Sequence, residues 1–323
     1  MLNALGSAAM ALAARFKDGG LIVNEHTLTR EQTRVHVDAL GRWVDFIHLH
    51  DLPDRLARRQ GKPFCLLTFD DGKRSNATET APELERLGVP ACFPVVTDFL
   101  DGRTPLWFDL HALLLRKLGA PPPGLSPQAV KQLPLHLTVE RIERACRRHG
   151  VSANLDDDDV APMTWDQARD LLKRGFSIGA HGATHAIMTR ETKADAFANI
   201  ARSIARVSAE TGERCTSFAF PNGNYTAELA QHAVRCGARF VMTTEPTWAD
   251  RRFPLWRLPR VQLFGSQGRR RIEFKIAVSA TGSILPSGDG TGTIYREINR
   301  IARESPLETR GRAAEATPGY FGL

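Results

Sequence analysis

Two adjacent carboxylates, Asp70 and Asp71, stand at the end of the apolar run Phe64-Cys65-Leu66-Leu67-Thr68-Phe69 and are followed by Gly72. Burying unpaired carboxylates is costly and like charges repel, so a fold with this pair at the mouth of a buried strand must supply a cation or a shared proton. A second segment offers the rest of a cation site, because the apolar run Phe176-Ser177-Ile178-Gly179-Ala180 leads into His181-Gly182-Ala183-Thr184-His185. If His181 opens a helical turn, the spacing of four puts both imidazoles on one face. Two histidines and one carboxylate are three protein ligands, which leaves a position for water. Asp71 is assigned as the oxygen ligand and Asp70 as the general base that takes the proton of that water. Asp-Asp-Gly is also ordinary turn chemistry, and histidines four apart are frequently only neighbours. Each at the end of a strand in one alternating pattern, the two segments together favour a hydrolytic site.

The pattern around them is strand then helix. An apolar strand, 21–26, precedes a helix expected over 30–47, where Val37, Leu40, Trp43, Val44 and Ile47 recur at near-helical spacing. Strand 64–69 leads to a helix over 77–87 and a strand over 89–96. An insertion over about 98–163 follows, with a helix around Asp109 to Leu113, a proline-rich piece and a basic helix over 139–149. Alternation resumes at Trp165, with a long helix over 193–211 and strands near Ser217 and Phe240. Such a rhythm implies parallel pairing with right-handed crossovers, and barrel sites lie at the C-terminal ends of the strands.

At 323 residues and 42% hydrophobic content the chain is long enough for one α/β barrel with a substantial core. The alanine-rich segment 1–20 lacks a basic start and a cleavage site, so it reads as a short amphipathic helix, with a peripheral membrane contact as the second reading. Cys65, Cys92, Cys146, Cys215 and Cys236 are odd in number and widely spaced, which indicates neither a disulfide framework nor a thiolate site and points to a cytoplasmic setting, extending to the inner membrane surface. The net charge of +7 gathers at 141–148, 251–252 and 269–271. It suits an anionic partner such as a lipid- or nucleotide-linked sugar; no nucleic-acid motif accompanies it. Asp156 to Asp159 reads as a solvated acidic loop, and residues 279–323 as a partly disordered extension with a helix near 294–303.

Thr68-Phe69-Asp70-Asp71-Gly72, His181-x-x-x-His185 and Phe218-Ala219-Phe220-Pro221-Asn222-Gly223 resemble, in order and spacing, the first three motifs of the polysaccharide deacetylases of carbohydrate esterase family 4, the NodB-homology domains. The resemblance spans about 20–265. It implies a distorted (β/α)-barrel over 21–278 and one divalent metal ion, zinc first with cobalt, nickel or iron as alternatives, that serves to remove acetyl groups from N-acetylated sugars of a cell-surface polysaccharide or its precursor. By it Asp70 is the base, Asp71, His181 and His185 are the ligands, and the backbone amide of Asn222, after Pro221, helps bind the oxyanion.

Three departures accompany the matches. Family members usually carry an arginine at the position of Ala219 to hold the base; Arg257 or Arg260 could supply that charge from a late strand. The hydroxyl that follows the first histidine in the family is replaced by Gly182. The C-terminal acid histidine is missing after His232, whereas a permuted branch of the family places it on an N-terminal strand, where this chain has His26. His26 is therefore expected to be the general acid, against the plainer reading of a surface histidine before a helix capped by Thr29 and Gln32. Trp107, with Phe108, is expected at the substrate face of the insertion, with a packing role as the alternative. Beside the hydrolase stand a non-catalytic glycan-binding module of the same fold, a hydrolase of another amide, and an iron oxygenase triad, the last disfavoured by the spare aspartate.

Overall fold

The computed structural model describes residues 19–58, 61–103, 105–154 and 156–280. Its centre is a sheet of eight strands in chain order: β1 (Gly20–Glu25), β2 (Asp45–Phe46), β3 (Phe64–Phe69), β4 (Ala91–Val95), β5 (Ser177–Ala180), β6 (Ser217–Ala219), β7 (Phe240–Met242) and β8 (Val261–Gln262). All pair in parallel, in the order β7-β6-β5-β4-β3-β1-β8, with β2 also on β3. Leu258 bridges Met242 of β7 while Val261 and Gln262 pair with β1, so the single segment 258–262 closes the sheet into a distorted barrel.

The period of two sorts each strand between two cores. Leu21 and Val23 of β1 and Cys65, Leu67 and Phe69 of β3 pack outward in the large cluster under the helices. Ile22, Phe64, Leu66, Cys92, Ala219, Phe240, Met242 and Leu258 fill the barrel interior. Continuing the same alternation carries His26, Thr68 and Asp70 to the interior face at the C-terminal ends of β1 and β3.

Helix α1 (Arg30–Gly41) opens on the expected capping box, Thr29 accepting from the Gln32 amide while Gln32 accepts from that of Thr29. It ends at Gly41, not at Ile47 as its spacing suggested. Val44 belongs to the outer core and Ile47 to the interior one, so their recurrence reflects a chain passing between two cores rather than one helical face. Short α2 (Leu52–Ala57) precedes β3, and α3 (Ala81–Arg86) follows a π turn at Asn76–Thr80. The insertion forms α4 (Thr97–Leu100), α5 (Trp107–Leu118), α6 (Pro127–Val130) and α7 (Leu135–His149), the latter three around a small core of Trp107, Leu114, Leu125, Val130, Ile142 and Cys146. Alternation resumes with α8 (Trp165–Lys173), α9 (Lys193–Thr211), α10 (Ala227–Arg235) and, after β8, α11 (Arg269–Ala280).

The helix expected over 1–20 falls outside the described residues except Gly19 and Gly20, and Gly20 already belongs to β1. Of the expected 279–323 extension only Ser279 and Ala280 are described, as the last turn of α11. All five cysteines are free, and burial pushes the Cys92 thiol up to about 12. No described helix is long and apolar enough to cross a membrane.

Candidate active site

Asp70 and Asp71 leave β3 in different directions. The Asp70 amide donates to the Glu25 carbonyl, prolonging the β1–β3 ladder by one rung and keeping its carboxylate on the interior face. There Arg260 grips it with both ends of the guanidinium, Nη1 to Oδ1 at 2.8 Å and Nη2 to Oδ2 at 2.9 Å. Arg260 is fully buried, and two further donors are met by Thr68 Oγ1 at 3.0 Å and the Thr243 carbonyl at 2.9 Å. Burial pulls the Asp70 carboxyl upward, but the charges of Arg260 and His181 and the Arg260 hydrogen bonds outweigh it and hold the group at about 2.

At Asp71 the backbone turns to φ 79°, and Gly72 follows at φ 83° with Leu100 and Val95 so near that a Cβ would meet them at 2.8 and 2.9 Å. This turn lifts the Asp71 side chain out of the strand register. Its Oδ1 stands 3.6 Å from His181 Nε2 and 3.4 Å from His185 Nε2, yet neither carboxylate oxygen has a hydrogen-bond partner although the residue is fully buried. Burial drives its carboxyl up to about 7. His181 Nδ1 donates to the Ala219 carbonyl at 2.9 Å, which fixes the tautomer and turns the Nε2 lone pair toward Asp71. His185 is held neutral, its pKa lowered well below 6.5 by burial and then by the charges of His181 and His26. One donor atom from each of Asp71, His181 and His185 lies within 4.8 Å of the others. Carboxyl oxygens without a hydrogen-bond partner, facing two imidazole nitrogens, fit a divalent cation by donor type.

The two histidines do not share a helical face as their spacing suggested. No helix covers 181–185; Gly182 takes φ 76° and His185 φ 56°, so an extended loop folds both rings onto Asp71, 5.0 Å apart. The same turn accounts for the glycine in place of a hydroxyl, since a Cβ there would also come within 2.9 Å of Met188. Thr184 supplies a hydroxyl two residues later, accepting from Asn199 Nδ2 at 2.7 Å while Asn199 Oδ1 takes the Ala183 amide. Among the described residues the non-glycine positions with positive φ are Asp71, His185 and Asn222. All three are candidate site residues, the kind of place where backbone strain of about 1–3 kcal/mol per residue is retained.

Of the two candidate arginines, only Arg260 reaches Asp70. Arg257 instead forms a fork with the buried Glu245, Nε to Oε1 at 2.9 Å and Nη2 to Oε2 at 3.0 Å, and Glu245 also accepts from Tyr225 Oη at 2.8 Å. Tyr225 ends the Pro221-Asn222-Gly223-Asn224 loop, so this clamp fixes the loop that carries the Asn222 amide. His26 sits just past the end of β1, half-buried; burial lowers its pKa, the Asp70 and Glu25 charges raise it, and Lys73 and Arg260 oppose them. Trp107 is buried and its indole nitrogen donates to the His185 carbonyl at 3.3 Å, while Phe108 packs its ring 4.7 Å from the His185 imidazole. Sequence reasoning missed Lys73, buried against Asp109 at 2.7 Å, which joins the turn after Asp71 to the insertion. A lysine two residues beyond the paired aspartates was the available signal.

A family model for polysaccharide deacetylase matches residues 57–241, more than half of the chain. The chain belongs to the polysaccharide deacetylase family. The matched stretch holds Asp70, Asp71, His181, His185 and Asn222 but neither His26 nor Arg260. No curated protein matches the chain. Among solved structures, it is similar to the Streptococcus pyogenes deacetylase PplD in complex with acetate (15% identity, TM-score 0.55, covering 78% of this chain and 96% of that one). It is also similar to the BpsB deacetylase domain from Bordetella bronchiseptica (18%, 0.53, 76% and 96%) and to IcaB from Ammonifex degensii (16%, 0.52, 80% and 97%). At these identities the likeness establishes the fold.

Proposed function

We propose that this chain is a metal-dependent hydrolase that removes N-acetyl groups from amino sugars of a cell-surface polysaccharide or its precursor. The observation that carries the reading is the arrangement at 70–71: one aspartate locked as an anion by Arg260, its neighbour left without a partner beside two imidazoles. Asp71, His181 and His185 would hold the cation, zinc being the first choice for two nitrogens and one carboxylate. When bound, such an ion acidifies water and polarises the amide carbonyl.

The chain's own groups do the rest. Asp70, ionised down to about pH 2, accepts a proton from the attacking water as the new C–O bond forms. The Asn222 amide, presented by the clamped loop, stabilises the developing oxyanion. Protonated His26 donates a proton to the nitrogen as the C–N bond breaks, releasing acetate and the free amine; Asp70 then loses its proton to solvent and His26 takes one up, which restores both groups. Arg260 does the work assigned in the family to the residue at Ala219, which removes the main ground for a binding module that has lost turnover.

Acetate release from N-acetylglucosamine oligomers and from nucleotide- and lipid-linked N-acetyl sugars, with metal-free protein and with added zinc or cobalt, tests the reading. Metal-dependent release, lost in Asp70→Asn and strongly reduced in His26→Ala at full metal occupancy, is the expected result. Undiminished turnover in His26→Ala would remove the acid assignment, and metal binding without acetate from any substrate would favour the binding module or another amide.

A further inference from the structure

Lys73 is the charged group at the site that the proposed reaction leaves without a task. It stands two residues beyond Asp71 with its side chain nine-tenths buried, its Nζ 2.7 Å from Asp109 Oδ1 and 5.5 Å over the Phe108 ring. That ring packs 4.7 Å from the His185 imidazole. Burial is the largest influence on both His26 and Asp71, and the Lys73 charge is felt by each of them. The ammonium therefore stands beside the reacting groups, at the wall where α5 meets the site. Its backbone is held on both sides, the Met163 amide donating to the Gly72 carbonyl at 2.9 Å and the Arg74 amide to the Ala161 carbonyl at 2.8 Å.

Stability does not account for a cation here. A buried ion pair gains little over an apolar pair of the same volume. A positive charge this close to the site also opposes both a bound metal ion and the proton that His26 must hold.

The pair has unused hydrogen-bonding capacity. An ammonium carries three protons, and among the described residues Nζ makes one hydrogen bond, to Asp109. The second oxygen of that carboxylate, Asp109 Oδ2, is buried without a partner. Free donors beside a free acceptor match a group that accepts and donates at once, as a hydroxyl does. In the proposed deacetylation the carbonyl oxygen lies with the Asn222 amide and the nitrogen with His26. The free hydroxyl nearest that nitrogen is O3 of an N-acetylglucosamine unit, because the carbon on the other side of the acetamido carbon is occupied by the glycosidic bond.

We propose that Lys73 is a substrate-binding residue, its Nζ donating to the sugar O3 while the O3 hydroxyl donates to Asp109 Oδ2. The inference rests on the deacetylase reading and deepens it by naming the substrate class, an N-acetylated amino sugar whose O3 is free. An O3 ether cannot donate to Asp109, so units alkylated there are poor substrates.

The experiment compares N-acetylglucosamine tetramers with their 3-deoxy counterparts, using zinc-loaded parent, Lys73→Met and Lys73→Arg. A hydrogen bond to a charged group changes a rate or affinity by about ten- to a hundredfold. The parent should lose that much in kcat/KM on the 3-deoxy tetramer. Lys73→Met should lose as much on the natural tetramer and little more on the 3-deoxy one, with zinc affinity at or above that of the parent, and Lys73→Arg should recover part of the loss. Damage to the turn or to the insertion would instead weaken zinc binding and lower both substrates alike. Equal loss on the two tetramers, or no loss on either, overturns the proposal and leaves the deacetylase reading standing. Acetate from neither tetramer in the parent overturns that reading. Calorimetric binding of both tetramers to zinc-loaded Asp70→Asn, with and without Lys73→Met, then decides the contact by itself, and equal or absent binding overturns it.

Discussion

The two halves of the site solve the same electrostatic problem in opposite ways. On the Asp70 side the protein supplies everything: a buried guanidinium fork, a threonine hydroxyl and a carbonyl, leaving an anion whose pKa is about 2. On the Asp71 side it supplies two imidazole rings and no hydrogen bond, and burial drives that carboxyl to about 7. Adjacent residues of one strand end thus differ by a completed ion pair and an open one. In the proposed function this contrast divides the labour, the first carboxylate acting on a proton and the second holding a cation.

The widest separation of the halves should appear in activity. Asp70→Asn should lower turnover by about 10²–10⁴-fold while zinc binding, followed by calorimetry, stays near the parent value. His185→Ala should do the reverse in order, losing the metal first and activity with it; equal metal loss in both variants would merge the halves. Next in size is stability. Arg260→Met leaves Asp70 buried and unpaired, which should cost about 3–5 kcal/mol in urea unfolding at pH 7. Because folding depresses the Asp70 pKa from 3.8 to about 2, the stability it contributes is complete above 3.8 and lost as pH falls through 2. Parent and variant should accordingly converge in acid, and a gap that persists at pH 2 would show that packing rather than charge is what Arg260 provides. The smallest effect should come from the clamp: Glu245→Gln, which weakens the Arg257 fork and the Tyr225 bond, should lower kcat several-fold with zinc affinity unchanged. A change in KM alone would assign the clamp to substrate binding instead.

Much of this was legible in the sequence because it is carried by strand ends. The run 64–69 with its two aspartates, the histidines after 176–180 and the helix Lys193–Thr211 stand where the strand-helix pattern placed them. What the sequence could not show is how the backbone turns between ligands. His181 and His185 have helical spacing but meet through positive φ at Gly182 and His185, a conformation that no residue type announces when a histidine adopts it. Arg257 and Arg260 were indistinguishable by composition. Only closure of the barrel by 258–262 turns one inward to Asp70 and the other to Glu245. Trp107, read as a substrate face with packing as the alternative, packs: the insertion folds as its own small core with that indole inside, its nitrogen donating to the His185 carbonyl.

The central claim is that Asp71 is the group a cation completes. It is tested most directly by the protons released when zinc binds, measured calorimetrically at pH 6 in buffers of different ionisation enthalpy. A carboxyl raised to about 7 is mostly protonated at that pH, and His185, its pKa lowered well below 6.5, carries no extra proton to release. The parent should release close to one proton more than Asp71→Asn, which should also bind zinc far more weakly. Equal proton release and equal affinity in the two proteins would contradict the account.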